Sequence, residues 1–173
     1  MQCTKRNPFW YDTWVLAAAT AFPASVSLFN QSSVAKGRHL TNNPEGNRLP
    51  ANHNITVKGL AVFFTEMVKA DAHYIAKNFW LDVIVNNSSI HDGKVMFYPQ
   101  TGGVYGIEGA DGAISNGMPG YSSFIEFVPA DRFSLRAGES FEIKLNNGGA
   151  AQNSAAGAGV HVTLNWLVDW DKP

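Results

Sequence analysis

The chain has 173 residues, with 13 Lys and Arg against 14 Asp and Glu, a formal net charge of -1 and a single cysteine, Cys3. The balanced charge argues against a nucleic-acid binder that works through a broad basic surface, and one thiol rules out an internal disulfide framework or a Cys-rich zinc site. Only 16 % of residues are charged and 45 % are hydrophobic, against about 25 % charged in an average globular domain. Much of the surface is therefore covered by Asn, Ser, Thr, Gly and Ala, which cost less to desolvate than ions and suit burial against other protein.

The amino-terminal stretch crowds Phe9, Trp10, Tyr11, Trp14 and Phe22 into 22 residues. Lys5 and Arg6 ahead of residues 14–22 have the outline of a secretory signal, but Pro8 and Asp12 do not fit one. The segment is expected to be an arm over residues 1–40 that can include a first strand, with Thr13 to Ala18 as a candidate. Its aromatics either anchor in a neighbour's pocket or complete the chain's own core.

Downstream, alternation of apolar and polar residues predicts strands. Ser25 to Phe29 is a short candidate. Ile55 to Phe64 begins as an alternating strand, with Gly59 as a bulge position. Asp71 to Lys77 is the one helical hint, with Asp71 as its N-cap. Phe79, Leu81, Val83 and Val85 share a strand face, Asp92-Gly93 has hairpin-turn chemistry, and Val95 to Tyr98 reads as another short strand. Tyr121 to Val128 and Phe133 to Leu135 follow, and Phe141 to Asn146 alternates cleanly. The clearest pattern is Val160 to Trp170, where Val160, Val162, Leu164, Trp166, Val168 and Trp170 fall on one face and Leu167 is the exception on the other. The uncharged loop from Asn146 to Gly159 is expected to be a mobile tip or a packed contact. Such a succession predicts an all-β chain, a single jelly-roll sandwich of about eight strands over residues 41–173. An immunoglobulin-like sandwich lacks its paired cysteines here, and the uneven loops favour the jelly roll. No apolar run approaches the roughly 20 residues of a membrane span.

Chemistry-bearing patterns are sparse. His39, His53, His73, His91 and His161 show no H-x-H or H-x-x-x-H spacing of the kind that brings two imidazoles to one metal. No G-x-S-x-G elbow is present. On the strand from Phe141, Glu142 shares a face with Lys144, the pattern of a solvated sheet surface rather than of a glycosidase acid pair. The glycine-dense run from Gly102 to Gly112 lacks the G-K-[ST] of a phosphate loop. The sequence thus offers no catalytic residue, no cofactor site, no metal ligand set and no direct nucleic-acid site.

A family resemblance rests on a Pro/Asn/Gly lead-in from Leu40 to Pro50, the Ile55-x-Val57-x-x-Leu60-x-Val62 strand and Met96-Phe97-Tyr98-Pro99 running into Gly102-Gly103-x-x-Gly106. It also rests on the later Asn116-Gly117 and Phe133-Ser134-Leu135-Arg136-Ala137-Gly138-Glu139-Ser140-Phe141-x-Ile143-x-Leu145. Over residues 40–170 the chain resembles the single-jelly-roll structural proteins of icosahedral bacteriophages, which serve as capsid, vertex or cement subunits. The resemblance implies a virion component without catalytic residues, assembled in the host cytoplasm, whose partners are further copies of itself and a major capsid protein. Candidate subunit-interface residues are Phe9, Trp10, Tyr11, Trp14, Phe22 and Tyr105. Two other readings remain. One is a carbohydrate-binding sandwich, which requires exposed aromatics in a row on one sheet; the other is a small jelly-roll enzyme with a metal on dispersed histidines.

Overall fold

The computed structural model describes residues 8–51, 53–65, 67–98, 103–105, 114–116 and 125–171. Its strands are β1 (Phe9–Leu16), β2 (Ser25–Leu28), β3 (Asn54–Thr65), β4 (Phe79–Val85), β5 (Ser88–Lys94), β6 (Gly103–Tyr105), β7 (Ile114–Asn116), β8 (Ile125–Glu126), β9 (Phe133–Leu135), β10 (Phe141–Asn147) and β11 (Val160–Asp171). Two helices interrupt them, α1 (Ser33–Lys36) and α2 (Lys69–Asn78).

Two antiparallel sheets form a β-sandwich. In the first the order is β1-β11-β3-β8, with β9 also paired to β3; in the second it is β2-β10-β4-β5. A separate hairpin joins β6 to β7. β8 and β9 run along one edge of β3 as a single line, at Gly59 and Leu60 and then from Val57 to Ile55, broken by a 3-10 turn at Pro129–Asp131. Pro at the start of that turn supplies the fixed φ and has no N–H to leave unpaired.

Period-two burial appears where the sequence alternates. β10 places Phe141, Ile143 and Leu145 in the core, and β11 places Val160, Val162, Leu164, Trp166 and Val168 there. Leu167 points outward beside Gly59, at the register shift that bulges β3 against β11. A core wedged between the sheets follows from these strands meeting Leu81 and Val83 of β4.

Four expectations change. The first strand that the amino-terminal stretch could include lies at Phe9–Leu16 rather than Thr13 to Ala18: β1 pairs along its whole length with β11, from Phe9 opposite Leu167 to Leu16 opposite Val160. Its apolar-polar alternation is obscured because Asp12 occupies an inward position. Secondly, the turn between β4 and β5 is Asn86-Asn87, with φ of 50° and 65°, rather than Asp92-Gly93. Consecutive left-handed residues match the twist of a two-residue hairpin, and Asn tolerates that conformation. Asp92-Gly93 lies inside β5, where the missing side chain of Gly93 makes room for the Tyr98 hydroxyl. Third, Val95–Phe97 is a 3-10 turn, not a strand. Finally, α2 begins after Val68, and Asp71 sits in its first turn, where its buried Oδ2 accepts from Ala155 N at 2.9 Å.

The 148–159 loop is a packed element. Ala19 N, Phe22 N and Ser154 N donate to Ala155 O, Gln152 O and Thr20 O, and the Tyr74 hydroxyl donates to Ala150 O. Because β1 fills the core, deleting residues 1–22 should abolish cooperative folding rather than leave a folded domain, as read by circular dichroism and amide dispersion. Trp166→Ala should cost about 3–5 kcal/mol in urea unfolding, the range for emptying a large buried aromatic site.

Candidate functional site

β1 is built as an inward-facing triplet. Trp10, Asp12 and Trp14 project toward the second sheet, and Trp10 and Asp12 are fully buried. The Trp10 ring lies 4.3 Å from Phe29, past the end of β2, and 5.4 Å from Phe141 of β10. Trp14 lies 5.5 Å from Phe79 and 6.3 Å from Phe22, and Phe22 stacks on Tyr74 of α2 at 4.7 Å. These ring pairs hold β1 to the second sheet and to α2.

A buried carboxylate between two indoles must be fully partnered. Asp12 Oδ2 accepts from Phe29 N at 2.6 Å, and Oδ1 pairs with Lys36 Nζ at 2.8 Å. Lys36 is in the last turn of α1, whose start is capped by Ser32. Beside this pair, buried Asn43 collects the turns around it. Its Nδ2 lies 2.8–3.1 Å from the carbonyls of Phe29, Gln31, Glu45 and Gly46, and its Oδ1 accepts from Trp10 Nε1 at 3.3 Å. The chain comes close enough here that a Cβ on Gly46 would meet Asn30 O at 2.9 Å. This polar knot is structural: each group in it is occupied by another part of the same chain.

The six interface candidates therefore divide. Trp10, Trp14 and Phe22 are buried in the chain's own core and are not free to anchor a neighbour. Phe9 and Tyr11 lie on the outward face of the first sheet, Phe9 exposed and Tyr11 half-buried with its hydroxyl donating to Arg38 O at 2.6 Å. Tyr105 lies in β6 opposite Ile114. Val15 joins Phe9 on that outward face, and Met96, Phe97 and Val128 are exposed elsewhere.

Among the described residues no three His, Cys, Asp or Glu side chains converge to hold a metal ion. His39 follows α1, His53 precedes β3, and His73, His91 and His161 lie on α2, β5 and β11. Cys3 lies outside the described residues. Glu142 and Lys144 form a 2.8 Å ion pair on the exposed face of the second sheet. That face carries one exposed aromatic among the described residues, Trp80, set between Asn146 and Lys94, so the described part of the second sheet does not carry aromatics in a row.

Two groups had no signal in the sequence. Asn43 looks like any loop asparagine, and only the convergence of four carbonyls marks it. His91 meets Tyr98, Phe127 and Phe133, which lie on separate elements.

No family model, curated protein or solved structure matches the chain.

Asp12→Ala should destabilise the protein by about 3–5 kcal/mol in urea unfolding, because it strands Lys36 and the Phe29 N–H. Asp12→Asn, which keeps an acceptor for Phe29, should cost less. Asn43→Ala should cost about 2 kcal/mol or more through the polar groups it orphans.

Proposed function

We propose that this chain is a structural subunit of an icosahedral bacteriophage particle, a cement, decoration or vertex protein built on a jelly roll. The observation that carries the reading is the strand order. Taking β8 and β9 as one line, eight strands fall as β1-β11-β3-β8/β9 against β2-β10-β4-β5. Each sheet interleaves early and late strands, and apart from the β4–β5 hairpin successive strands cross between sheets, an order that supports a reading as two nested Greek keys. The resemblance of residues 40–170 to phage jelly-roll subunits points the same way. Fold alone does not assign function, so the reading also leans on the low charge of the chain and on its exposed apolar residues.

Assembly in this reading uses faces and loops, because strand addition is discouraged at the sheet edges. The outer edge of β1 is covered by residues 40–42, through Thr13 N to Leu40 O at 2.8 Å and Asn42 N to Tyr11 O at 3.2 Å. β5 is bulged at Ile90, since Val83 faces His91 while Ile84 faces Ser89. The β8–β9 line is broken by its 3-10 turn, and β2 has four residues. Short, bulged or covered edges are the usual defences against edge-to-edge pairing. Contacts then fall to Phe9 and Val15 on the first sheet and to Phe97 and Val128, with further copies and a major capsid protein as partners. Weak contacts repeated around a symmetric shell sum to a large total.

Mass spectrometry of virus-like particles purified from cells that carry the gene should recover this chain together with a major capsid protein; particles that lack it reject the reading. Val15→Asp and Phe97→Asp should change the unfolding free energy by no more than about 0.5 kcal/mol, as for ordinary surface positions, yet reduce self-association in size-exclusion chromatography with light scattering.

A further inference from the structure

Apart from the Asp12–Lys36 pair at β1, the two sheets meet along most of the sandwich through apolar groups. One side differs. His91 on β5 lies opposite Val83 in register, so its ring faces the first sheet. Its Nε2 is 2.9 Å from the Tyr98 hydroxyl. Across the gap, its ring centroid lies 5.1 Å from Phe127, which follows β8, and 5.9 Å from Phe133 of β9, nearly parallel at 27°. Phe133 in turn stands edge-on against Trp166 of β11 at 5.8 Å. One imidazole thus joins the edge strand of the second sheet to the edge line of the first.

We propose that His91 is an acid-operated clasp, holding the β5 and β8–β9 sides of the two sheets together when neutral and releasing them when protonated. The reading goes beyond the assembly role and does not depend on it. An imidazolium in this place would sit against two phenyl rings and a phenol, with most of its hydration removed. The charged groups facing it are few. Asp92 is on its own strand, and Asp131 comes from the 3-10 turn at Pro129–Asp131. The Arg132 guanidinium is turned to the Phe127 carbonyl, with Nε to O at 3.1 Å. Burial lowers the His91 pKa below 6.5, and the two carboxylates pull it the other way by less. Tyr98 is pushed up to about 12, first by burial and then by Asp92, so its hydroxyl stays protonated and supplies no counter-charge.

The sign follows from linkage. The closed state has the lower pKa, so the opened state binds more protons as pH falls. The contribution of His91 to closure is fully present above about pH 6.5, the ordinary value for the side chain, and is lost as pH falls through its lowered value in the closed state. This side is a weaker margin of the sandwich, because β5 is an edge strand with a bulge and the β8–β9 line is interrupted, and His91 adds to the closure that buried Val95, Tyr98, Phe127 and Leu135 also supply.

Hydrogen exchange of the full chain, followed by mass spectrometry from about pH 7.5 to pH 5 and corrected for intrinsic exchange, tests this across the range where histidine titrates. Residues 88–98 and 125–135 should lose protection together, by about tenfold for each unit of pKa separation between the closed and open states, while the centre of β11 keeps its own. His91→Phe retains an aromatic ring without a proton to gain and should make the seam indifferent to pH. Should that variant fail to fold, His91→Gln, neutral and able to bond Tyr98, carries the same expectation. An NMR titration of His91 in the unmodified chain should give a midpoint that coincides with the loss of protection. Protection that holds through the titration of His91, or that falls equally in the variants, overturns the clasp.

Discussion

A single buried carboxylate sets the terms for the amino-terminal third of the molecule. Asp12 lies on the inward face of β1 between two tryptophans, where an unpaired charge would cost several kcal/mol. Its partners come from elsewhere in the chain: the Phe29 N–H at the end of β2 and the Lys36 ammonium at the end of α1. Satisfying it brings the second sheet, the short helix and the first strand to one point. Phe29 adopts a left-handed φ of 57° there, a conformation unfavourable for a bulky residue and held by bonds at both its N–H and its C=O.

Asn43 completes what Asp12 begins. An amide has both donor and acceptor capacity, and this one spends its acceptor on Trp10 Nε1 and its donors among four carbonyls. The loop from Asn30 to Gly46 therefore has a fixed path without a regular element longer than α1. That path also carries residues 40–42 along the outer edge of β1, so the network that satisfies the core's charge also covers a sheet edge.

How much of this was legible depended on whether the signal was local. β4, β10 and β11 could be read residue by residue, because one face of each is core and the other is not, and Gly59 marked the bulge where Leu167 breaks the alternation. β1 was harder, since an aspartate at an inward position looks like an outward one until its partners are known. The β4–β5 turn was misplaced because Asp92-Gly93 has turn chemistry for another reason: Gly93 makes way for the Tyr98 hydroxyl, while Asn86-Asn87 turns the chain. The His91 cluster was invisible, as its four members come from β5, the residue after the 3-10 turn at Val95–Phe97, the residue after β8, and β9. Neither periodicity nor spacing encodes a contact of that kind.

The pairing of β1 with β11 also orders events in time. Thr13 and Thr163, whose hydroxyls lie 2.7 Å apart, are separated by 150 residues. A ribosome adding about 5–20 residues per second needs roughly 8–30 s to cover that interval. Until β11 emerges, β1 has no strand to pair with, and Trp10 and Trp14 wait without the sheet that will bury them. Pairings this distant in sequence also slow folding after synthesis, because the chain loses loop entropy before the contacts compensate. The first strand of the sandwich is thus among the last placed, and two of its large aromatics stay without their own sheet until β11 has been made.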